Sequence, residues 1–301
     1  MNMLYIDKSY NVKITRDVHY GDAVIHASTD QHDRALLLDI YEPIGRPEKV
    51  LSPAIVLAFG GAFHRGSKED DGFEHGGSRS TAMAKYCLEF AKRGYVCFSI
   101  GYRLTQEDPD PGNTIAMRDP QAIPRSRVDE VRKMLGLPYA DNMTLWRAME
   151  GAIDDGATAL HWVRANARQF KIDSSRIVAG GWSAGARIAM HAVFAEQAPA
   201  AAVICISGYM DPLDMAHYIT NKDSIPIFLT WGTNDLDYVM AQGPRFIEHF
   251  SVIGLKYVAH EIVGANHFYP SMTLLQDGPG SMISLEDAIA NFLVEQLKLD
   301  S

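Results

Sequence analysis

The sequence predicts an α/β protein with a mostly parallel central sheet and helices on both faces of that sheet. Short apolar runs alternate along the chain with longer segments of helical spacing, which is the pattern of repeated β–α units. Several of these runs are apolar without interruption, as expected of strands that are buried on both faces. The chain has 301 residues, of which 47% are hydrophobic, and is long enough for one large core. It has no internal repeat and no glycine- and serine-rich linker, so residues 1–301 are predicted to form a single domain.

Seven apolar segments predict the strands of the sheet. Each is four to seven residues long and rich in Ala, Val, Ile, Leu or Phe, a length and composition typical of buried strands. These strands are predicted at 35–41, 54–59, 95–100, 176–179, 201–207, 225–231 and 257–262.

Six segments with apolar residues three and four positions apart predict helices. We expect Ser80 to cap the first of them and Gly94 to end it. Ser284 and Asp287 have the spacing of a capping box at the start of the last one. The helices are predicted at 80–93, 125–135, 145–170, 184–196, 241–253 and 285–297.

Residues 105–143 interrupt the alternation of strands and helices. They contain the loop sequence Asp-Pro-Asp-Pro-Gly at 108–112 and further prolines at 120 and 124. Long insertions in a compact domain are usually functional. We therefore expect 65–80 and 105–143 to form cap-like insertions over the carboxyl ends of the strands, although an excursion packed away from any site is the alternative. The predicted apolar wall of this cap consists of Met117, Met134, Leu135 and Leu137.

The charge and cysteine content narrow the function classes. The net charge of −9 and a pI near 5.6 argue against nucleic acid as a main partner, since phosphate binding needs a basic surface. No run approaches the ~18 apolar residues of a membrane span, and the N-terminus lacks a signal-peptide pattern, so a cytoplasmic protein is expected. Three cysteines have no metal-binding spacing and are predicted to be buried free thiols: Cys87, Cys97 and Cys205.

A glycine-flanked serine is the sharpest local signal for catalysis. Gly181-Trp182-Ser183-Ala184-Gly185 matches the G-x-S-x-G pattern between a predicted strand and a predicted helix. In that context the serine lies on a tight strand-to-helix turn with its hydroxyl exposed, and small residues on either side let strand and helix pass closely. Ser183 is therefore the candidate nucleophile, and a glycine-rich turn with a structural serine is the alternative.

A serine nucleophile needs a base and an acid that orients the base. His267 follows the last predicted strand and is the candidate base, whereas His260 lies within that strand and points along the sheet. Asp235 is the first carboxylate after the strand 225–231 and is the candidate acid, with Asp237 as its competitor. Two more distant candidates for the acid follow the preceding strand: Asp211 and Asp214.

Backbone amides must stabilise the oxyanion that forms when a serine attacks a carbonyl. The turn Phe59-Gly60-Gly61-Ala62-Phe63 follows a central predicted strand, where glycines allow backbone N–H groups to face a substrate. We expect the amides of Gly61 and Ala62 to act together with the amide of Ala184. A simple turn is the alternative.

Taken together, these motifs resemble the α/β-hydrolase superfamily, and within it carboxylesterases related to hormone-sensitive lipase and BD-FAE-like esterases. The resemblance runs from about residue 36 to residue 297 and includes LLLDIYEP, FGGAFHRGS, GGWSAGA, GTND and GANHF. It implies an α/β-hydrolase fold and ester hydrolysis through an acyl-enzyme, with no cofactor and no metal. Carried over to this chain, Ser183 is the nucleophile, His267 the base and then the acid, and Asp235 the orienting acid. Two positions depart from the family pattern: Phe59 stands where its oxyanion loop usually begins with His, and Trp182 where an acidic residue is frequent.

The function predicted from the sequence is hydrolysis of small carboxylic esters with short to medium acyl chains. An amide hydrolase with the same triad, acting on a formamide or short peptide, stays open, as does a non-catalytic binding protein of the same fold. A homodimer through a sheet edge or the last helix also stays open. The predicted substrate contacts are Phe63, His64, Trp182 and Phe268.

Overall fold

The computed structural model describes residues 4–47 and 49–299. The strands are β1 (Asn11–Ile25), β2 (His32–Ile44), β3 (Ser52–Ala58), β4 (Glu74–His75), β5 (Ser78–Arg79), β6 (Val96–Ile100), β7 (Ile172–Trp182), β8 (Ala202–Ile206), β9 (Ile227–Asn234), β10 (Tyr257–Asn266), β11 (Leu274–Gln276) and β12 (Met282–Ser284). The α-helices are α1 (Met83–Lys92), α2 (Ser126–Met134), α3 (Asn142–Ala165), α4 (Ala184–Phe194), α5 (Pro212–Tyr218), α6 (Asp237–Ile253) and α7 (Leu285–Gln296).

Eight strands form the central sheet, in the order β1-β2-β6-β3-β7-β8-β9-β10. Six adjacent strands run parallel to one another: β6, β3, β7, β8, β9 and β10. At one edge of the sheet, β2 pairs antiparallel with β6, and β1 pairs antiparallel with β2. Because parallel strands end at the same edge of a sheet, the loops after β3, β7, β8, β9 and β10 meet there. Every candidate catalytic residue lies in one of these loops or directly beside one.

Helices cover both faces of the sheet. Leu57 and Phe228 lie in one row across β3, β7, β8 and β9, and the ring of Phe228 lies 5.6 Å from that of Phe292 in α7. Phe98 is one position off this row, so its side chain points to the other face, since side chains alternate along a strand. Its ring lies 6.4 Å from that of Trp162 in α3. The arrangement confirms the predicted α/β class.

All seven predicted strands are present, with ends that differ by a few residues. The sequence did not predict β1, a 15-residue strand with mostly exposed or half-buried side chains. Its polar and apolar residues are mixed because one side of this antiparallel edge strand faces solvent. The short helix α5 was also missed.

Three details of the predicted helices are wrong. Ser80 does not cap α1; its hydroxyl donates to the carbonyl of Phe73 at 3.3 Å, and the first amide of α1, that of Met83, is accepted by Asp71 Oδ1 at 2.7 Å. Helix α6 begins at Asp237, four residues before the predicted start at 241, and α3 ends at 165 rather than at 170. The predicted cap of α7 is confirmed, because the hydroxyl of Ser284 accepts the amide of Asp287 at 3.1 Å.

The two expected insertions lie in different places around the carboxyl edge of the sheet. Residues 65–80 contain the hairpin β4–β5, which contacts the end of β10 through a hydrogen bond from Asn266 Nδ2 to the carbonyl of His75. Residues 105–143 contain α2 and contribute to the cavity described below. Two of the four residues predicted for the apolar wall are wrong, because Met134 and Leu135 are exposed at the surface.

Cys87, Cys97 and Cys205 are buried free thiols, as predicted. Within the described ranges 4–47 and 49–299, no helix combines the length and the hydropathy needed to cross a membrane.

Candidate active site

Ser183 lies on a strained turn between β7 and α4. Its backbone has φ 56° and ψ −115°, a conformation that L-residues rarely adopt and that is found mostly where function requires it. The glycines two positions away allow this turn. A Cβ on Gly181 would lie 2.4 Å from the backbone of Gly185, and a Cβ on Gly185 would lie 1.9 Å from the carbonyl oxygen of Ala58 in β3.

Ser183, His267 and Asp235 form one chain of hydrogen bonds. His267 Nε2 lies 2.8 Å from Ser183 Oγ, and His267 Nδ1 lies 2.5 Å from Asp235 Oδ1. These distances match the geometry of a nucleophile, a base and an orienting acid. His267 is 3% exposed and Asp235 6% exposed, so both groups interact largely shielded from water. Asp237, the competitor for the acid, is an exposed residue at the start of α6.

The environment of Asp235 keeps it ionised. Burial opposes its charge, but the interaction with the adjacent His267 ring and hydrogen bonds from His267, Ser207 and the amide of Leu236 outweigh burial and hold the pKa of Asp235 below its ordinary value. Ser207 Oγ donates to Asp235 Oδ2 at 2.5 Å, and Leu236 N donates to Oδ1 at 2.7 Å. A carboxylate held in this way can stabilise an imidazolium.

The loop after β3 presents free backbone donors beside Ser183. Gly61, Ala62 and Phe63 all have positive φ, at 131°, 56° and 62°, which turns the chain sharply after the strand. Within the part of the chain that the structure describes, the amides of Gly61, Ala62 and Ala184 have no hydrogen-bond acceptor. Ala62 and Ala184 line the same cavity as Ser183. This arrangement suits an oxyanion hole.

Four neighbouring groups brace this loop although Phe59 occupies the position of the family's histidine. Asp71 Oδ2 accepts the amide of Gly60 at 2.8 Å, and His64 Nδ1 lies 2.6 Å from the carbonyl oxygen of Ala62. Tyr102 donates to the carbonyl of Phe59 at 2.9 Å, and its ring stacks on that of Phe59 at 4.1 Å. Thr105 donates to the carbonyl of Phe63 at 2.9 Å. Bracing in this chain therefore comes from side chains that follow the loop in sequence.

A small cavity of about 30 Å³ opens beside Ser183. This volume is far below the ~300–1,000 Å³ of typical sites for drug-sized ligands. The residues around it come from the loop after β3, the segment 105–143, α3, α4, the loop after β8 and the start of α6: Ala62, Phe63, Pro124, Arg127, Val128, Met149, Ser183, Ala184, Arg187, Ser207, Tyr209 and Tyr238.

Of the four predicted substrate contacts, only Phe63 lines this cavity. His64 is 2% exposed and lies behind the loop, where its Nε2 is 2.8 Å from Nη1 of Arg132 in α2. Trp182 donates from Nε1 to the carbonyl of His267 at 3.2 Å, and its ring lies 5.5 Å from that of Phe268. In the conformation described, Trp182 and Phe268 support the segment that carries His267 and do not face the cavity.

The cavity is also lined by two arginines and two tyrosines that were not among the predicted site residues: Arg127, Arg187, Tyr209 and Tyr238. Arg187 could have been found from its spacing. It lies four residues after Ser183, and residues four apart share one face of a helix. Nothing in the sequence placed the other three near Ser183, because their positions depend on how the insertion and two loops fold.

One group of carboxylates comes close enough to hold a metal ion. Among the described residues, Asp17, Asp39 and Glu69 bring their oxygens within 4.8 Å of one another. The ammonium group of Lys68 already lies 2.8 Å, 2.7 Å and 2.5 Å from these three carboxylates. A lysine in this position neutralises the cluster, so its chemistry favours an ion-pair network over a metal site.

Comparison with known proteins identifies the fold. Residues 147–241 match the family model described as the alpha/beta hydrolase fold. The chain has the α/β-hydrolase fold. A propionate-bound esterase, Est2 of the Planctomycetes species Thermogutta terrifontis, is 18% identical, with a TM-score of 0.58 over 97% of this chain and 94% of that chain. A truncated carbohydrate esterase from gut microbiota is 16% identical, with a TM-score of 0.58 over 97% of this chain and 98% of that chain. No curated protein sequence matches the chain.

The α/β-hydrolase fold accounts for the position of the site. In this chain the turn after β7 carries Ser183, the loop after β9 carries Asp235, and the segment after β10 carries His267. These are the chain order and strand ends at which the fold holds nucleophile, acid and base. The resemblance seen in the sequence motifs is thus confirmed at the level of the fold.

Proposed function

We propose that this protein is a serine hydrolase that cleaves small carboxylic esters with short acyl chains through an acyl-enzyme. The observation that carries the proposal is the hydrogen-bonded chain from Ser183 Oγ through His267 to Asp235, with distances of 2.8 Å and 2.5 Å. That chain ends at a cavity bordered by free backbone amides, which is what attack on a carbonyl requires.

In the proposed reaction, Ser183 Oγ attacks the ester carbonyl carbon while His267 Nε2 accepts the hydroxyl proton. The amides of Gly61, Ala62 and Ala184 donate hydrogen bonds to the resulting oxyanion. His267 then gives its proton to the departing alkoxide, which leaves as the alcohol. A water molecule, deprotonated by His267, attacks the acyl-enzyme and releases the carboxylic acid and the serine hydroxyl. The negative charge of Asp235 stabilises the imidazolium in both halves of the reaction.

The size of the cavity supports a short acyl group. At about 30 Å³ it does not accommodate a long acyl chain, which would need a continuous apolar channel. The segment 105–143 is proposed as a cap, because Pro124, Arg127 and Val128 wall this cavity. Similar solved structures agree with ester chemistry: Est2 was solved with propionate and with butyrate bound, and also phosphorylated by paraoxon. A cytoplasmic location and a homodimer stay predictions.

The test is a series of p-nitrophenyl esters from acetate to palmitate, measured with the unaltered protein and with Ser183→Ala. We expect activity to be highest with the shortest chains and to fall by about 10⁶-fold in the variant. Ser175→Ala is the matched control, since Ser175 is an exposed serine of the same strand and should leave kcat unchanged.

Two further measurements complete the test. Paraoxon should add one diethylphosphoryl group to the unaltered protein and to Ser175→Ala, but not to Ser183→Ala, as read by intact mass. Anilides matched to the esters measure the amide alternative. Ester hydrolysis that survives Ser183→Ala, or faster cleavage of anilides than of esters, would contradict the proposal.

A further inference from the structure

Arg187 is a buried cation one helical turn after the candidate nucleophile. It is 6% exposed and lines the same cavity as Ser183. The amide of Arg187 donates to the carbonyl of Ser183 at 3.2 Å, so both side chains project from the first turn of α4. A positive charge is therefore fixed beside the hydroxyl that attacks the substrate.

The guanidinium of Arg187 lacks a counter-ion of its own. Among the described residues no carboxylate oxygen lies within 4.0 Å of it, and its one side-chain hydrogen bond goes from Nη2 to the sulfur of Met117 at 3.7 Å. Its buried Nε has no hydrogen-bond acceptor. The face of the guanidinium lies 5.3 Å from the centre of the Tyr209 ring. Such a group is costly to bury without an anionic partner.

Three carboxylates that interact electrostatically with Arg187 already have other partners. Asp214 accepts the amide of Arg118 at 2.9 Å and lies 3.3 Å from His191 Nε2. Asp211 accepts the amide of Leu213 at 2.8 Å and caps α5.

The third of these carboxylates, Glu150, accepts the amides of Ala116 and Met117. Burial raises the pKa of Glu150 to about 7, so it carries only part of a charge near neutral pH. The charges of Asp211, Asp214 and Glu150 act on Arg187 over a longer distance, but none of these carboxylates forms an ion pair with it.

A second arginine increases the positive potential of the cavity. Arg127 of α2 also lines the cavity and is 7% exposed. Its Nη1 pairs with Glu130 at 2.6 Å, and its guanidinium lies 5.1 Å from the Phe268 ring centre. The hydroxyl-bearing rings of Tyr209 and Tyr238 complete the polar lining. The cavity thus offers two cations and two phenols and no carboxylate in its lining.

From this asymmetry we infer that the ester substrate carries a carboxylate, which pairs with Arg187 when the carbonyl carbon lies at Ser183. The inference rests on the proposed esterase function and specifies its substrate class. An arginine guanidinium binds a carboxylate through charge-assisted hydrogen bonds, and Arg187 lines the same cavity as Ser183. The carboxylate can belong to the acyl group, as in a monoester of a short dicarboxylic acid, or to the leaving group.

Two pairs of esters distinguish these positions, because each pair differs only in the replacement of a carboxylate by a methyl ketone. For the acyl side we compare p-nitrophenyl hemisuccinate with p-nitrophenyl levulinate. For the leaving group we compare 4-carboxyphenyl acetate with 4-acetylphenyl acetate. After correction for spontaneous hydrolysis, kcat/KM should favour the charged member of at least one pair by about 10- to 100-fold, as expected for a charge-assisted hydrogen bond.

Variants test whether Arg187 causes the preference. Arg187→Met should abolish the charged-to-neutral ratio, Arg187→Lys should keep part of it, and the exposed Arg168→Met should leave it unchanged. The thermal midpoint of Arg187→Met should equal or exceed that of the unaltered protein, because the substitution removes an unpaired buried cation. A purely structural arginine would lower the midpoint and leave the ratio intact.

Binding to the inactive Ser183→Ala protein separates this inference from the proposed function. Calorimetry should detect succinate binding that disappears in the double variant Ser183→Ala/Arg187→Met. If neutral esters are cleaved as fast as charged ones and succinate binding does not depend on Arg187, the inference is overturned while the esterase proposal stands. If no ester is cleaved, the esterase proposal fails, and succinate binding alone then decides whether Arg187 forms an anion site.

Discussion

Replacement of Asp235 by asparagine gives the most informative test of how the triad works. Oδ1 of Asp235 accepts two donors, His267 Nδ1 at 2.5 Å and the amide of Leu236 at 2.7 Å. Oδ2 accepts the hydroxyl of Ser207 at 2.5 Å and the amide of Gly232 at 3.2 Å. An amide NH₂ group at the Oδ1 position would face the amide donor of Leu236 at short range. At the Oδ2 position the NH₂ group would face the amide of Gly232 at the longer distance of 3.2 Å. It would also face the hydroxyl of Ser207, which can rotate and accept a hydrogen bond from the NH₂ group.

The asparagine oxygen should therefore stay toward His267, and the neutral imidazole should keep its proton on Nδ1. What Asp235→Asn removes is the negative charge that stabilises the imidazolium. Two unit charges about 4 Å apart interact with about 4 kcal/mol at an effective dielectric constant of 20. A loss of that size lowers kcat by about 10³-fold.

The assay is kcat for p-nitrophenyl acetate, with the thermal midpoint measured alongside. Adding Ser207→Ala to Asp235→Asn removes the hydroxyl that favours the productive amide orientation. The double variant should approach the ~10⁴-fold loss that follows when the wrong tautomer is held. Asp237→Asn is the matched control and should change kcat by less than twofold. A loss below tenfold for Asp235→Asn, or an equal loss for Asp237→Asn, would refute this reasoning.

Three other predictions concern packing, pH and reactivity. Gly185→Ala should destabilise the protein by at least about 3 kcal/mol in urea unfolding, because its Cβ would lie 1.9 Å from the carbonyl oxygen of Ala58; an unchanged midpoint would contradict this. Burial raises the pKa of Asp71 from 3.8 to about 7, so the folded protein binds this proton more tightly than the unfolded chain, and stability should fall by up to about 4 kcal/mol between pH 4 and pH 8. Asp71→Asn should remove that part of the pH dependence, and an identical profile in the variant would oppose the assignment. A thiol reagent should label none of the cysteines until the protein unfolds, because burial raises the pKa of all three: Cys87, Cys97 and Cys205.

The central strands can be predicted from the sequence because a strand that is buried on both faces consists almost entirely of apolar residues. β3, β6 and β8 are buried along their whole length and appear in the sequence as uninterrupted apolar runs. β1 leaves no such trace, since its partners are on one side only and much of its surface faces solvent. Helix α6 begins four residues before the predicted start at 241, and Pro244 would have suited the first turn of that predicted helix. The structure instead carries this proline inside the helix.

The hydrogen-bonded contacts among Ser183, Asp235 and His267 follow from chain order, because each residue comes directly after a parallel strand. Their catalytic roles stay predictions until the variants are measured. The position of Arg187 inside the cavity could have been inferred from helical spacing, but its lack of a counter-ion could not. That property depends on where Asp211 and Asp214 find their own partners, which only the folded chain determines.

The contact between His64 and Arg132 limits how the insertion 105–143 can be exchanged. His64 joins the carbonyl of Ala62 on one side to the guanidinium of Arg132 on the other, at 2.6 Å and 2.8 Å. The same guanidinium also donates to the carbonyl of Pro138, so one side chain of α2 joins another part of the insertion to His64. A chimaera with a different segment at 105–143 would lose the Arg132 contact and leave the buried imidazole of His64 without its partner. Any exchange of this segment must therefore also replace His64.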